Sequence, residues 1–167
     1  MMLTIDPGSP EGDRTETIVV SRVITFVVPA IPVAQPRQRH RIVTTAGRSF
    51  ATNYTPAKSP VNDFKASVRM AAWQAYSGPP LEGPLSVQII AVFPRPASKR
   101  WKNKPMLRFP KLSKPDADNI AKANLDALNG LLFVDDAQVA RLLVEKWLAS
   151  GDEQPHVEIS VGSLETE

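Results

Sequence analysis

The chain has 167 residues, of which 43% are hydrophobic, enough for one domain with a real core, and it contains no cysteine. Disulfides and thiolate metal sites are thereby excluded, so any metal must be held by oxygen or histidine, and a reducing cytoplasm is compatible. Lys and Arg number 20 against 17 Asp and Glu, but segments 1–22 and 149–167 hold nine of the acids and two of the cations, leaving a net charge of +10 in residues 23–148.

A body this cationic points to a polyanionic partner, most commonly nucleic acid. Residues 1–22, rich in Gly, Pro, Ser, Thr and charge and without an apolar period, predict a flexible tail. No apolar stretch follows a basic start, and no run of eighteen apolar residues occurs, so the chain reads as soluble, unexported and without a membrane span.

The β-branched run VITFVVPAIPV, residues 23–33, predicts a buried strand that Pro29 and Pro32 confine to an edge or bring to an end. QPRQRHRIVTTAGR, residues 35–48, is a basic loop or ribbon containing Arg37, Arg39, His40, Arg41 and Arg48 without an acid. From Ser59 and Pro60 to about Tyr76, apolar residues at Val61, Phe64, Val68, Ala71, Ala72 and Ala75 recur at helical spacing, with Pro60 suited to the first turn. Pro79, Pro80, Gly83 and Pro84 interrupt the chain, and LSVQIIAVF, residues 85–93, predicts a strand.

Residues 95–114, RPASKRWKNKPMLRFPKLSK, carry Arg95, Lys99, Arg100, Lys102, Lys104, Arg108, Lys111 and Lys114 with no acid, and Trp101 and Phe109 among them. Cations interleaved with aromatics suit a loop that tracks phosphates while Trp101 stacks on a base; a solvated flexible loop is the plainer alternative. Pro115 favours an extended residue before it, and a helix is expected from about residue 118 to 129, closed by Gly130. A short strand at 131–134, a turn at Asp135 and Asp136, and strands at 139–148 and 156–161 complete the expected elements, and 163–167 reads as a second flexible tail. The domain proper is expected at 23–162.

Five of the eight acids in residues 23–148 fall between Asp116 and Asp136. Asp116 and Asp118, two apart on extended chain, project to one side, while Asp118, Lys122 and Asp126 share one helix face. Two carboxylates about 4 Å apart repel by roughly 4 kcal/mol at an effective dielectric near 20, so such a pair needs a cation or a proton. Hard oxygen ligands favour Mg²⁺ or Mn²⁺ over zinc, and with a phosphate ligand this is the chemistry of phosphodiester hydrolysis. Taken singly, the same acids are an ordinary N-cap, an i, i+4 ion pair with Lys122 and a turn dipeptide. Only their gathering inside a cationic body favours a metal site. Motifs for phosphate-binding loops, zinc proteases and serine hydrolases are absent, so no nucleotide cofactor is expected.

The run KPDADNIAKANLDALNGLLFVDDAQVARLLVEK, residues 114–146, resembles the signature of the RusA family of Holliday-junction resolvases, with its D-x-D-N-x-x-K, D-A-L and D-D-A-Q-V elements. PAIPVAQPRQR and the helix after YTPAKSP resemble the family's N-terminal half more loosely. The resemblance implies an α+β fold, a single domain with a mixed β-sheet packed with two main helices. It further implies a homodimer that nicks opposed strands of a four-way DNA junction in recombination and repair, in a bacterial or bacteriophage cytoplasm. Its site residues would be Asp116, Asp118 and Asp136 on Mg²⁺, for which Mn²⁺ would substitute, with Lys122 neutralising charge on the phosphate or orienting the water. Asp126, Asp135 and Asn119 rank behind them as supporting residues. Arg37, Arg39 and Arg41, with Lys99, Arg100, Trp101, Lys102, Lys104 and Lys114, are the expected DNA contacts. Two other functions stay open: a branched-DNA-binding module without catalysis, and a related nuclease acting on flaps or forks.

Overall fold

Residues 18–36, 39–45, 48–54 and 58–166 are described by the structure, a computed structural model. Strand β1 (Ile18–Val28) ends where Pro29 removes a backbone donor. It carries a bulge between Ser21 and Ile24, with Arg22 in the left-handed region at φ 46°. Strands β2 (Arg39–Thr45) and β3 (Arg48–Tyr54) form a separate antiparallel hairpin, the ribbon alternative for the basic segment. Helix α1 (Pro60–Ala75) begins with Pro60 in its first turn and buries Val61, Phe64, Val68 and Ala72 at helical spacing.

Strand β4 (Leu85–Phe93) is the centre of the sheet. Its Leu85, Val87, Ile89 and Ala91 are buried on the helix side, while Ser86, Gln88 and Ile90 are half-buried on the other. The chain then crosses over through a short 3-10 turn (Ala97–Lys99), the two-residue strand β5 (Phe109–Pro110) and helix α2 (Ala117–Leu128). A second 3-10 turn (Asp136–Gln138) leads into β6 (Val139–Leu148), and β7 (His156–Thr166) closes the chain.

The five-stranded sheet has the order β1-β7-β4-β6-β5. Only β4 and β6 are parallel, and such a pair requires the long crossover that carries α2. The fold is α+β, one domain with a mixed sheet and two helices on one face. Ile120, Ala123, Ala127 and Leu128 of α2 join Ile89, Ile159 and Phe133 in the core, each large side chain contributing about 1.5–3 kcal/mol by leaving water. The helices are tied by a Lys65–Asp126 ion pair at 2.8 Å and by Arg69, which donates to the Ala127 carbonyl at 2.9 Å, satisfying a last-turn oxygen of α2.

Three expectations change. The first strand runs 18–28 and not 23–33: residues 29–36 leave the sheet, and their Gln35 amide donates to the Asn119 carbonyl at 2.8 Å. Residues 18–22 and 163–166, expected in the tails, pair with each other as β1 and β7; residues 1–17 and 167 lie outside the described residues. Residues 131–134 form no strand. Gly130, at φ +70°, reverses the chain, so the Leu131 and Leu132 amides cap the Leu128 carbonyl and Phe133 makes only isolated bridges to Leu81 and Asn129. Among the described residues no helix is long and apolar enough to cross a membrane.

Candidate active site

Asp116 is the residue before α2, in extended conformation (φ −74°, ψ 149°), and its side chain makes no capping hydrogen bond. Asp118 lies in the first helical turn and accepts a hydrogen bond from Asn119 Nδ2 at 3.2 Å. Both carboxylates are exposed, and neither is ion-paired among the described residues. Lys122, one turn on and also exposed, forms no ion pair with Asp118, so the simple i, i+4 tether is not made.

The other acids of the cluster are differently employed. Asp126 is neutralised by Lys65. Asp135 caps the 3-10 turn through the Ala137 amide at 2.8 Å, while Gln138 Oε1 accepts from the Asp135 amide at 2.9 Å. Asp136 is exposed, and its carboxylate is uncommitted. The structure thus divides the five acids into three free carboxylates and two structural ones.

Asp116 is extended but Asp118 is already helical, so the two carboxylates follow one another at the start of α2 and not along extended chain; Asp136 is not brought to them. Residues 129–133 fold onto the C-terminal end of α2, Asp136 follows three residues later, and β6 then runs back along the helix until Lys146 meets Pro115. Twelve residues of α2 span about 18 Å, so Asp136 stands at the opposite end of the helix from Asp116. Among the described residues no three His, Asp or Glu side chains are grouped to hold a metal ion.

Of the pair, Asp116 lines one of two grooves that share residues, and Asp118 lines neither. One, of about 410 Å³, is lined by Ala34, Gln35, Lys114, Pro115, Asp116 and Asn119. The other, of about 580 Å³, shares Lys114 and Pro115 and adds Phe93, Lys99, Lys111 and Ser113. Gln35 Oε1 is buried without a hydrogen-bond partner among the described residues, as is Oδ1 of the fully buried Asn124 on α2. A larger cleft of about 750 Å³, beside Arg95 and Glu153, contains neither Asp116 nor Asp118.

The segment leading to Asp116 is held from behind by two lysines: Lys146, which the sequence did not bring forward, and Lys111, which it offered only as one of the cations of the 95–114 loop. Lys146 Nζ donates to the Pro115 carbonyl at 2.8 Å and the Ser113 carbonyl at 3.2 Å. Lys111 Nζ donates to Ser113 Oγ and the Lys114 carbonyl, each at 2.6 Å, and to the Ser113 carbonyl at 3.4 Å. Its backbone amide donates to the Lys146 carbonyl at 2.9 Å. Burial, then the nearby Lys146 and Lys99, lower the Lys111 pKa. Sequence does hold a signal for Lys146: it shares strand parity with Val144 and Leu148, so the charge sits on the helix-facing side of β6.

The basic loop is organised by Arg95, only 5% exposed, whose guanidinium donates to the carbonyls of Ala149 (2.7 Å), Lys99 (3.4 Å) and Leu107. It also lies 5.7 Å from the Trp101 ring, which remains half exposed. Arg100 donates to the Arg95 carbonyl at 3.2 Å, and Lys99 stands 5.0 Å from the Phe109 ring. Arg108 is spent on Glu153 and Glu158, both at 2.6 Å. Exposed Lys99, Arg100, Trp101, Lys102, Lys104 and Lys114 remain available to a ligand. Arg39 and Arg41 belong to β2, opposite Tyr54 and Thr52; Arg37 lies outside the described residues.

The family described as Endodeoxyribonuclease RusA matches residues 29–162. An uncharacterized protein of Bacillus subtilis (strain 168), YqaN, is 36% identical over 145 residues, covering 83% of this chain and 94% of that protein.

Proposed function

Because the chain belongs to the RusA family of endodeoxyribonucleases, we propose that it resolves four-way (Holliday) DNA junctions by paired symmetric nicks, as a Mg²⁺-dependent homodimer serving DNA recombination and repair. The observation that carries this reading is a pair of exposed carboxylates without an ion pair among the described residues: Asp116, in a groove that shares Lys114 and Pro115 with a lysine-lined one, and Asp118, two residues on. Carboxylates in such a setting repel DNA unless a cation stands between them and the phosphate.

The donor set supports Mg²⁺. It is all oxygen and open to solvent, which suits an ion that takes one or two carboxylates and keeps room for waters and a substrate phosphate. Asp116 and Asp118 would hold it, and when bound it lowers the pKa of a coordinated water toward neutrality. The chain's own residues do the rest. Lys122, exposed one turn beyond Asp118, neutralises phosphate charge as it grows in the transition state. Asn119 donates to Asp118 and fixes its orientation, and Lys99, Arg100, Lys102, Lys104 and Lys114 hold the DNA backbone.

The homodimer is supported by what one chain lacks. Asp136 is exposed but stands about a helix length from Asp116 of its own chain, so if it joins the two carboxylates on the ion it would do so from a second copy. The outer edge of β6 pairs with β5 only at Trp147 and Leu148, and Leu142 and Leu143, before them, are 44% and 45% exposed. Antiparallel pairing of two such edges sets the start of one strand, with Asp136, beside the end of the other, with Lys146, Pro115 and Asp116.

The test is cleavage of a labelled synthetic four-way junction in Mg²⁺ and in EDTA, with linear duplex and flap substrates in parallel. Paired symmetric nicks that need the metal and the junction are expected. Metal-independent binding with no cutting of any substrate would sink the nuclease reading, and preferential cutting of the flap would move the activity to another branched substrate.

A further inference from the structure

We propose that Lys111 and Lys146 are positioning residues that clamp the chain at residues 113–115 and thereby set where Asp116 and Asp118 present their carboxylates. The inference rests on the nuclease reading above and adds two residues to it.

The geometry leaves these lysines little other work. The Lys111 ammonium has three N–H donors and three acceptors in reach, all from Ser113 and Lys114, so none is left for a DNA phosphate. Lys146 reaches the carbonyls of Ser113 and Pro115 from the helix side of the sheet, and neither lysine is ion-paired to an acid among the described residues. Both therefore bind backbone, and the backbone they bind is the three residues immediately before Asp116. The anchor is rigid at its other end: Lys146 lies in β6, beside Ala91 of β4, and Lys111 follows β5 and bonds through its amide to the Lys146 carbonyl. Pro115 cannot contribute an amide of its own, which leaves the approach to α2 dependent on side-chain donors. A carboxylate pair meant to meet an ion at about 2.0–2.1 Å from each oxygen tolerates little play, and partners that orient ligands without touching the ion typically matter by 10–100-fold.

The test uses the full chain with Lys146→Met and Lys111→Met, each read in three ways: backbone ¹⁵N order parameters over residues 112–118, Mn²⁺ binding without DNA, and the Mg²⁺ concentration for half-maximal junction nicking. Expected for Lys146→Met are lower order parameters at 112–118 with residues 121–127 still rigid, and metal affinity weakened about 10-fold in both metal assays. Lys146→Arg, which keeps donors for both carbonyls, should recover most of it. Unchanged order parameters at 112–118 overturn the clamp, and a lowered Tm with unchanged metal dependence reduces the lysines to ordinary structural residues. Should Lys146→Met fail to fold, Lys146→Gln, which retains one donor, is judged by the same readouts. A parent protein that nicks no DNA defeats the resolvase reading instead, and the clamp is then decided by order parameters and Mn²⁺ binding.

Discussion

Lys65 of α1 and Asp126 of α2 are paired at 2.8 Å, so the acid in the last turns of α2 is neutralised by its neighbouring helix while Asp116 and Asp118 at the helix start are not. Charge compensation distinguishes acids that hold the fold from acids held ready for a ligand. Asp126→Asn should lower stability by about 1 kcal/mol or less, as expected of a half-exposed pair, and leave junction nicking intact. Thermal unfolding and a nicking assay on the same preparation check both halves.

Asp116→Asn and Asp118→Asn should show the reverse. Neither carboxylate is ion-paired among the described residues, and the one hydrogen bond given for them, Asn119 to Asp118, is exposed, so Tm stays near the parent value while nicking falls by more than about 100-fold, beyond the cost of losing an outer partner. Junction binding should persist, since a negative charge facing DNA has been removed. Parent-like cutting by either variant would show that the site lies elsewhere.

Arg95 is a cation that should not behave as a DNA contact. Its replacement by Met strands three loop carbonyls that it now collects, at a cost of about 3 kcal/mol, and Lys, a point charge without the planar fork, should not restore it. Denaturant unfolding of Arg95→Met and Arg95→Lys measures the effect.

Removing Lys99, Lys102 and Lys104 together should instead spare stability and weaken DNA binding. If each neutralises one phosphate, the slope of log affinity against log salt becomes shallower by about 3. A slope unchanged in the triple variant would take the loop out of the interface.

Acid should weaken the fold through the network around Arg108. Hydrogen bonds from Arg108 hold the Glu153 carboxyl down to about 2 against an ordinary 4.5, outweighing burial. Burial pushes Glu158 up, but hydrogen bonds from His156 and Arg108 prevail and lower it. Carboxyls depressed in the folded state stabilise it fully above about pH 4.5, and that stabilisation is lost as pH falls toward 2. Arg108→Met should therefore lose stability at neutral pH and show a shallower dependence between pH 4.5 and 2, followed by acid titration of the circular dichroism signal.

Much of this molecule can be read from its sequence because its signals are local. Val61, Phe64, Val68 and Ala72 mark one helix face and the alternation in LSVQIIAVF marks a strand, and the buried positions follow both patterns. The D-x-D spacing likewise identifies a helix entrance with two carboxylates on it. What the sequence conceals depends on distance through the fold. That Lys65 takes Asp126, that Arg95 gathers the loop around itself, and that Asp136 lies at the far end of α2 are consequences of packing between segments remote along the chain. The early start of β1 escaped for a related reason: Ile18, Val19 and Val20 are a short apolar run between a polar segment and Arg22, and their pairing with the last strand, beginning at Ile18 and Thr166, decides their state. The missing strand at 131–134 shows local chemistry prevailing over an apolar run, since Gly130 turns the chain before a ladder can form.

The parallel pairing of β4 with β6 has a consequence for the order of events during synthesis. Residues 114–118 emerge from the ribosome well before Lys146, and the strand bearing Lys146 joins the sheet only by finding β4 across the whole crossover, a non-local and hence late contact. The carboxylates are on the nascent chain early, but the backbone that aims them is fastened only when the sheet closes. A site built in this order is completed by the last half of the sheet to form and not by the segment that carries its carboxylates.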